Sequence, residues 1–216
     1  LKSLIDLKNF KDNNTSIKAL AYQLYENNGV LKRENVIEYV KHLDQNDRKV
    51  LRDLGVKFGR YHIFLFKLIK PEAVSLRSLL WKNYHQKYFN LNPPKFGLNF
   101  LDNKNLDQKF MLLCGFEKFN NYFIRIDILE RLFVQIINSN SDQDNKNIKM
   151  VPEMLNLLGC NKENFKKLLK NMNYKIIEKN EDIYFKYTPK KITKKIYTKN
   201  NKKESPFNIL KNLQLN

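Results

Sequence analysis

Residues 148–188 carry the pattern that most constrains how this chain can fold. Apolar spacing and turn residues predict two short helices and then two strands, namely Pro152–Leu158, Lys162–Met172, Tyr174–Glu178 and Ile183–Tyr187. The first helix would stop at Gly159, and a polar turn over 179–182 would join the strands. A helix–turn–helix followed by a hairpin is the core of a winged-helix module, which most often holds nucleic acid or docks a neighbouring domain.

The second of these helices separates its residues by face. Its apolar residues recur at the spacing i, i+3, i+4, i+7, as Phe165, Leu168, Leu169 and Met172. Lysines occupy the roughly opposite side, which a helix–turn–helix presents to the nucleic-acid groove. The hairpin would extend this surface, so the candidate phosphate contacts are Lys166, Lys167, Lys170, Lys175, Lys179 and Lys186. A solvated lysine face without a ligand is the alternative.

Composition indicates a folded protein with polyanionic partners. The 216-residue chain is 42% hydrophobic and carries a formal net charge of +18, which favours nucleic acid or an anionic surface. Only seven of the 40 basic residues are Arg, and Asn is abundant. AT-rich coding produces that pairing, so many lysines can reflect coding rather than function. The few arginines then become candidates for planar, bidentate contacts, among them Arg60, Arg77, Arg125 and Arg131.

The sequence also bears on location and redox state. It contains no apolar stretch long enough to span a bilayer and no visible signal peptide, so we expect a cytoplasmic protein without a membrane partner. Cys114 and Cys160 have apolar neighbours, and we expect buried free thiols in a reducing compartment. Because the chain begins with Leu1, we interpret it as a fragment or an excised domain of a longer protein.

The predicted fold class is mainly α with small β-hairpins (α+β), an N-terminal helical bundle preceding a C-terminal winged-helix-like module. A helix over Glu72–Lys87 is predicted to bury Ala73, Leu76, Leu79 and Leu80. Five segments are predicted: a loose N-terminal segment 1–15, a helical accessory domain 16–89 with a hairpin near 56–66, a linker 90–109, a winged-helix-like domain 110–188, and a basic disordered tail 189–216 that ends in a short helix.

No catalytic constellation is found in the sequence. No Gly is followed by Lys, so the phosphate loop G-x-x-x-x-G-K-[ST] is absent, and there is no Asp-Glu dipeptide of the Walker B kind. His42, His62 and His85 lack ligand-spaced companions. We therefore predict no catalytic residue, no metal site and no cofactor in this chain.

The segment Leu54–Trp81, LGVKFGRYHIFLFKLIKPEAVSLRSLLW, resembles the region C-terminal to the motor in alphaproteobacterial superfamily 2 helicases, relatives of the mitochondrial degradosome RNA helicase. Further resembling segments occur in the family's order: SIKALAYQLYENNGVL, HLDQNDRKVLRDLGV, RIDILERL, VPEMLNLLGCNKENFKKLLKNMNY and the terminal SPFNILKNL. The resemblance covers roughly residues 16–188 and the tail. Phe66 departs from it, since the family's FLP pattern has Pro there.

The resemblance implies an accessory C-terminal region of an ATP-dependent helicase, without the motor. The motor's two RecA-like domains hydrolyse ATP, so ATP and Mg would belong to the parent protein only. The implied partners are RNA or DNA, single-stranded, and the motor domains themselves. Arg60 and His62, within FGRYH, are the candidates for contact along the strand exit path. Two other functions stay open: a structural or protein-interaction module without nucleic-acid binding, and a free-standing winged-helix DNA-binding regulator.

Overall fold

Helices and short strands alternate along the chain. The computed structural model describes residues 2–86, 90–103, 105–139, 147–179 and 182–188. In these ranges the strands form antiparallel sheets of three strands each, which confirms the predicted α+β class. The predicted tail 189–216 lies outside the described residues.

A short helix, α1 (Lys2–Lys8), lies where a loose N-terminal segment was predicted over 1–15. It packs on α2 (Thr15–Glu26), and Leu7, only 2% exposed, enters the core of that region. Leu4 and Phe10 pack against the same core. The prediction was wrong because these apolar residues are too few to show a period, and tertiary packing supplies the stability that so short a helix lacks alone.

Three successive stretches share one plan, and we call them the first, second and third units. The first unit contains α2, β1 (Val30–Lys32), α3 (Ile37–Lys41), α4 (Gln45–Asp53), β2 (Val56–Phe58) and β3 (His62–Leu65). The second contains α5 (Pro71–Tyr84), β4 (Phe100–Asp102), α6 (Gln108–Leu113), β5 (Phe116–Phe119) and β6 (Tyr122–Arg125). The third contains α7 (Ile126–Asn138), β7 (Ile148–Lys149), α8 (Pro152–Leu158), α9 (Lys162–Asn171), β8 (Tyr174–Lys179) and β9 (Asp182–Tyr187).

Each unit folds as a helix, a short strand, one or two helices and a hairpin. In each, the short strand pairs with the second strand of the hairpin, giving the sheet orders β1-β3-β2, β4-β6-β5 and β7-β9-β8. The N-terminal part is therefore a repeat of the same plan and not the helical bundle that was predicted. Strands of two or three residues are too short to show an alternation of apolar and polar residues, so the sequence does not predict β1, β4 and β7.

The same local chemistry bounds the helix before each hairpin. Its N-cap side chain accepts a hydrogen bond from the third backbone N–H of the helix, at Asp44, Asp107 and Asn161. The residue before the hairpin adopts positive φ, at Gly55, Gly115 and Asn173. These left-handed residues end the helices and turn the chain into β2, β5 and β8.

The predicted linker 90–109 is also corrected. It contains β4, whose Phe100 and Leu101 pair with Ile124 and Phe123 of β6. The segment therefore belongs to the second unit, and α5 is the first helix of that unit. The prediction failed because Pro93–Pro94 suggested a linker, whereas the strand that follows gains its stability from pairing with a distant hairpin.

Helix α5 exposes to solvent the face that was predicted to be buried. Its Leu76, Leu79 and Leu80 are 45%, 56% and 47% exposed, while Arg77 and Ser78 are buried. Arg77 donates from Nη1 to the Leu68 carbonyl at 3.1 Å and from Nη2 to the Asn28 carbonyl at 2.6 Å. Burial lowers the pKa of Arg77 to about 10, so it still carries its charge near neutral pH. The buried side of α5 therefore combines the apolar Val74 with an arginine that supplies donors to two backbone carbonyls.

The three units are packed on one another. A cluster of buried side chains contains Val30 and Phe64 from the first unit, Ile69 from the turn after β3, and Ile126 at the start of α7. Leu112 of α6, in the second unit, packs against it. Ile124 of β6 lies in the core of the third unit. The units thus form one continuous body around shared apolar contacts.

Candidate nucleic-acid interface

The sheet of the third unit has one buried face and one solvated face. Tyr174, Ile183 and Phe185 point inward, and Phe185 meets Phe165 of α9 edge to face at 6.3 Å. Alternation then points the intervening residues outward. We call this outward surface the lysine face, made of Lys149, Lys175, Ile177, Lys179, Asp182, Tyr184 and Lys186.

Two lysines stand directly opposite each other on the lysine face. Lys175 and Lys186 are partners in the antiparallel register of β8 and β9, and both are exposed. Like charges at opposed positions repel and destabilise a strand pair. Neither lysine forms an ion pair within the part of the chain that the structure describes, and the same is true of Lys179. Among the described residues, no carboxylate therefore offsets these three charges.

Lys149 is the one neutralised cation among the four described lysines of this face. Its Nζ lies 2.6 Å from Asp182 Oδ2, and that hydrogen bond raises the pKa of Lys149. Both side chains are about half exposed, so the pair contributes little stability in water. Its effect is to leave Lys175, Lys179 and Lys186 as the charges that an anion would meet.

The lysines predicted on α9 divide into two kinds. Lys166 lies 2.9 Å from Glu178 of β8 and 3.4 Å from Glu163, and the hydrogen bond to Glu178 raises the pKa of Lys166. It joins the helix to the hairpin, and its charge is already matched by carboxylates. Lys167 and Lys170 are exposed and form no ion pair among the described residues.

The six predicted lysines therefore do not form one surface. Helix α9 covers the inward face of the sheet, whereas Lys175, Lys179 and Lys186 point away from it. Lys167 and Lys170 lie on the far side of α9 from that sheet, because Phe165, Leu168 and Leu169 are the residues it buries. Sequence alternation places each lysine on the correct face of its own element but does not reveal that the two faces diverge.

His62 is not on the surface. It is 2% exposed, and its Nε2 lies 3.1 Å from Glu117 Oε2 in β5. Its Nδ1 lies 3.5 Å from Glu130 Oε1 in α7. Lys32 pairs with the other Glu117 oxygen at 2.7 Å. The ring exposes no surface to a nucleic-acid strand. His62 therefore belongs to the contact between units and not to the predicted nucleic-acid surface.

Glu130 holds the tip of the first unit's hairpin. Its carboxylate accepts hydrogen bonds from the backbone N–H groups of Arg60, Tyr61 and His62, the last two at 2.9 Å and 2.8 Å. A Cβ on Gly59 would collide with the Glu130 carboxylate, so glycine permits this close approach. We call this set, Gly59 to His62 with Glu117 and Glu130, the junction, since it ties all three units together.

The junction fixes the charge of its buried groups. Burial alone disfavours protonated His62, but the hydrogen bond to Glu117 and the nearby carboxylates of Glu117 and Glu130 outweigh it and raise the pKa of His62. Burial likewise opposes ionised Glu117, yet its contacts with His62 and Lys32 lower the pKa of Glu117. Contact with the two carboxylates therefore favours the protonated imidazole over the neutral one, relative to an imidazole in water.

Arg60, the remaining predicted contact, is exposed on the other side of the junction. Its guanidinium lies over the Phe133 ring of α7 at 5.4 Å from the centroid. Tyr61 meets the same ring edge to face at 5.5 Å. With Tyr174 and Tyr187 these side chains line a cavity of about 190 Å³. The sequence does not reveal this cavity, because its walls come from two units that are far apart in the chain.

Two of the other arginines that the sequence singled out use two nitrogens of the guanidinium. Arg77 spans two carbonyls, as described above, and Arg125 binds both oxygens of Asp127, at 2.7 Å and 3.0 Å. These contacts are structural and hold the starts of α5 and α7 in place.

Comparison with known proteins gives no relative. No family model matches the chain, and no significant match is found among curated proteins or among solved structures. Over the described ranges, no helix combines the length and apolar character needed to cross a membrane. The same residues contain no group of three or more His, Cys, Asp or Glu side chains arranged to hold a metal ion.

Proposed function

We propose that this chain binds single-stranded nucleic acid through its phosphates, chiefly at the lysine face, as an accessory module of an ATP-dependent RNA or DNA helicase. The observation that carries the proposal is the directly opposed, unpaired Lys175 and Lys186, with Lys179 beside them. Phosphates bridging these cations would remove a repulsion that is otherwise present in the free protein.

The topology of the third unit supports the same proposal. Its order of helix, strand, two helices and hairpin, with the sheet order β7-β9-β8, is that expected of a winged-helix module. We propose that all three units are of this type, with the third carrying the nucleic-acid surface. The helicase assignment rests on the resemblance of Leu54–Trp81 and Val151–Tyr174.

A salt titration tests this function. Fluorescence anisotropy of a labelled oligonucleotide would be measured at increasing salt, with a single strand and a duplex of the same length. Phosphate contacts release counterions, so affinity should fall linearly on a log–log scale, with a slope of about −0.7 per phosphate for single strands. Absence of salt-sensitive binding to any oligonucleotide would refute the proposal. Preference for one duplex sequence would favour the free-standing regulator instead.

A second candidate function is docking on the helicase motor without nucleic-acid binding. The exposed apolar stripe of α5, formed by Leu76, Leu79 and Leu80 with Tyr84 at 84% exposure, favours it. Titration with a purified motor of the resembling family would test it. Binding that is lost in Leu79→Ser/Leu80→Ser, yet kept in a variant of the lysine face, would support this candidate, and no binding by the wild-type chain would exclude it.

A further inference from the structure

The cavity beside Arg60 has the composition of a site for a flat aromatic ligand. Aromatic rings from three elements line it, with Tyr61 from the hairpin tip, Phe133 from α7, and Tyr174 and Tyr187 from the third sheet. Tyr187 and Ile137 at its mouth are 50% and 53% exposed, so the cavity opens to solvent. Exposed apolar side chains that line a concave opening are a common feature of ligand-binding sites.

The size of the cavity limits what can enter. At about 190 Å³ it is smaller than the roughly 300–1,000 Å³ of sites that enclose whole drug-sized ligands. It has room for one heterocyclic ring system. A sugar and phosphate attached to that ring would have to stay outside, at the mouth.

Polar groups are available for both parts of such a ligand. Burial raises the pKa of Tyr61 and of Tyr174, and their hydroxyls hydrogen-bond to each other, so both stay protonated. A hydroxyl has one donor and two acceptor positions, so this pair keeps capacity for a hydrogen bond with a ring edge. The Arg60 guanidinium stands at the rim over Phe133 and forms no ion pair among the described residues. Glu130 binds the backbone N–H of Arg60 and so fixes the main chain from which this cation projects.

The cavity also lies next to the lysine face. Tyr174 and Tyr187 form the register pair immediately beside Lys175 and Lys186, one residue or about 3.4 Å along each strand. Because alternate residues point to opposite faces, a strand held by these lysines reaches the cavity by turning around the open end of the hairpin. Cations lie on both sides of these aromatic rings. The cavity should therefore bind a polyanion that carries aromatic rings in preference to an aromatic segment of a protein.

We propose that this cavity receives one base of a bound single strand, stacked on Tyr187 and Phe133, with the neighbouring phosphate on Arg60. The inference rests on the proposed function and specifies how the base is held. Stacking on aromatic side chains tolerates all four bases, so the site would grip a strand without reading its sequence.

Comparing oligonucleotides with and without bases tests base stacking in the cavity separately from phosphate binding. A homopolymer and a fully abasic strand of equal length carry the same phosphates. Stacking is worth about 1–3 kcal/mol per base, so the wild-type chain should bind the homopolymer about 5- to 150-fold more tightly. Tyr187→Leu should remove most of this preference and leave the salt slope unchanged. Tyr22→Leu, at a site 57% exposed on α2, is the matched control and should change neither.

The outcomes are distinct. Equal affinity for the two strands, with a normal salt slope, would overturn the inference and leave phosphate binding intact. A base preference that survives Tyr187→Leu would place the bases elsewhere and also overturn it. Absence of salt-sensitive binding to both strands would remove the proposed function itself. Arg60→Gln should make the salt slope shallower by about 0.7, and an unchanged slope would contradict the phosphate contact at the rim.

Discussion

At the residue scale, Glu130 supplies the hydrogen-bond acceptors that the residues of a loop usually supply for one another. The tip of the first hairpin contains Gly59 and Arg60 but no side chain that satisfies its own N–H groups, and a carboxylate from α7 supplies the acceptors. Because Glu130 lies 68 to 70 residues away from its partners, the hairpin tip and the third unit depend on each other.

Glu130→Gln should destabilise the folded chain by roughly 1–3 kcal/mol, since one amide oxygen cannot replace two carboxylate oxygens on three donors. Gly59→Ala should cost a comparable amount, because its Cβ collides with the same carboxylate. Urea unfolding measures both, with exposed Glu26→Gln as a control that should stay within about 0.5 kcal/mol of the wild type. The double variant should lose less than the sum, because both changes break one contact; strict additivity would contradict the junction as described.

His62 should make stability depend on pH. Its pKa is raised in the folded state, so its contribution is fully present below the unfolded pKa of about 6.5 and is lost as pH rises through the higher folded pKa. Glu117 has a lowered pKa, so its contribution is present above its ordinary pKa and is lost as pH falls through the lower folded value. The junction should therefore be most stable between the ordinary pKa of Glu117 and the unfolded pKa of His62.

Urea unfolding from this interval up through the raised pKa of His62, for the wild type and His62→Gln, measures the effect. The wild type should lose stability as pH rises through the raised His62 pKa, and His62→Gln should show a flatter profile over the same range. An identical slope in both proteins would mean that His62 does not carry the charge described here.

At the scale of elements, the sequence is most informative where a pattern is local. α8, α9, β8 and β9 lie within a residue or two of their predicted bounds, because caps, an apolar stripe and strand alternation all agree there. β1 and β4 are set by pairing with a hairpin strand 20 or more residues further on, and the local sequence contains little trace of that pairing.

Helix α5 shows the opposite case, in which periodicity predicted the wrong face. Leu76, Leu79 and Leu80 form a good apolar stripe, yet the side of α5 that is buried carries Val74 and Arg77, and Arg77 binds the carbonyls of Asn28 and Leu68. Sequence can suggest that a rare arginine is special, as it did for Arg77, but cannot name the acceptors.

Arg77→Met should therefore destabilise the chain by roughly 2–4 kcal/mol, because it leaves two carbonyls without their donors. Arg77→Lys should recover part of the loss, since one ammonium reaches fewer acceptors in fixed geometry. Leu79→Gln, two residues along the same helix, is the control and should be near neutral. Thermal and urea unfolding measure all three, and a greater loss for Leu79→Gln than for Arg77→Met would reverse the orientation given to α5.

At the scale of the whole molecule, three units of one plan meet at the tip of the first hairpin. The repeat is hidden in the sequence because the units differ in helix number and in loop length, and because its common marks are only a capping Asp or Asn and a left-handed Gly or Asn. The candidate site is partly hidden for the same reason: the lysines could be predicted from alternation, whereas the aromatic cavity requires the first and third units to be in contact.

The central claim is that the opposed lysines of the third sheet bind phosphate. The most direct measurement compares the salt dependence of single-strand affinity for the wild type, Lys175→Gln/Lys186→Gln, and a control of equal charge change, Lys18→Gln/Lys49→Gln, at exposed positions on α2 and α4. The slope for Lys175→Gln/Lys186→Gln should be shallower by about 1.4, for two lost phosphate contacts, and affinity should fall. The control should keep the wild-type slope. Equal slopes for the two double variants would show that net charge, and not this pair, governs binding, and would contradict the claim.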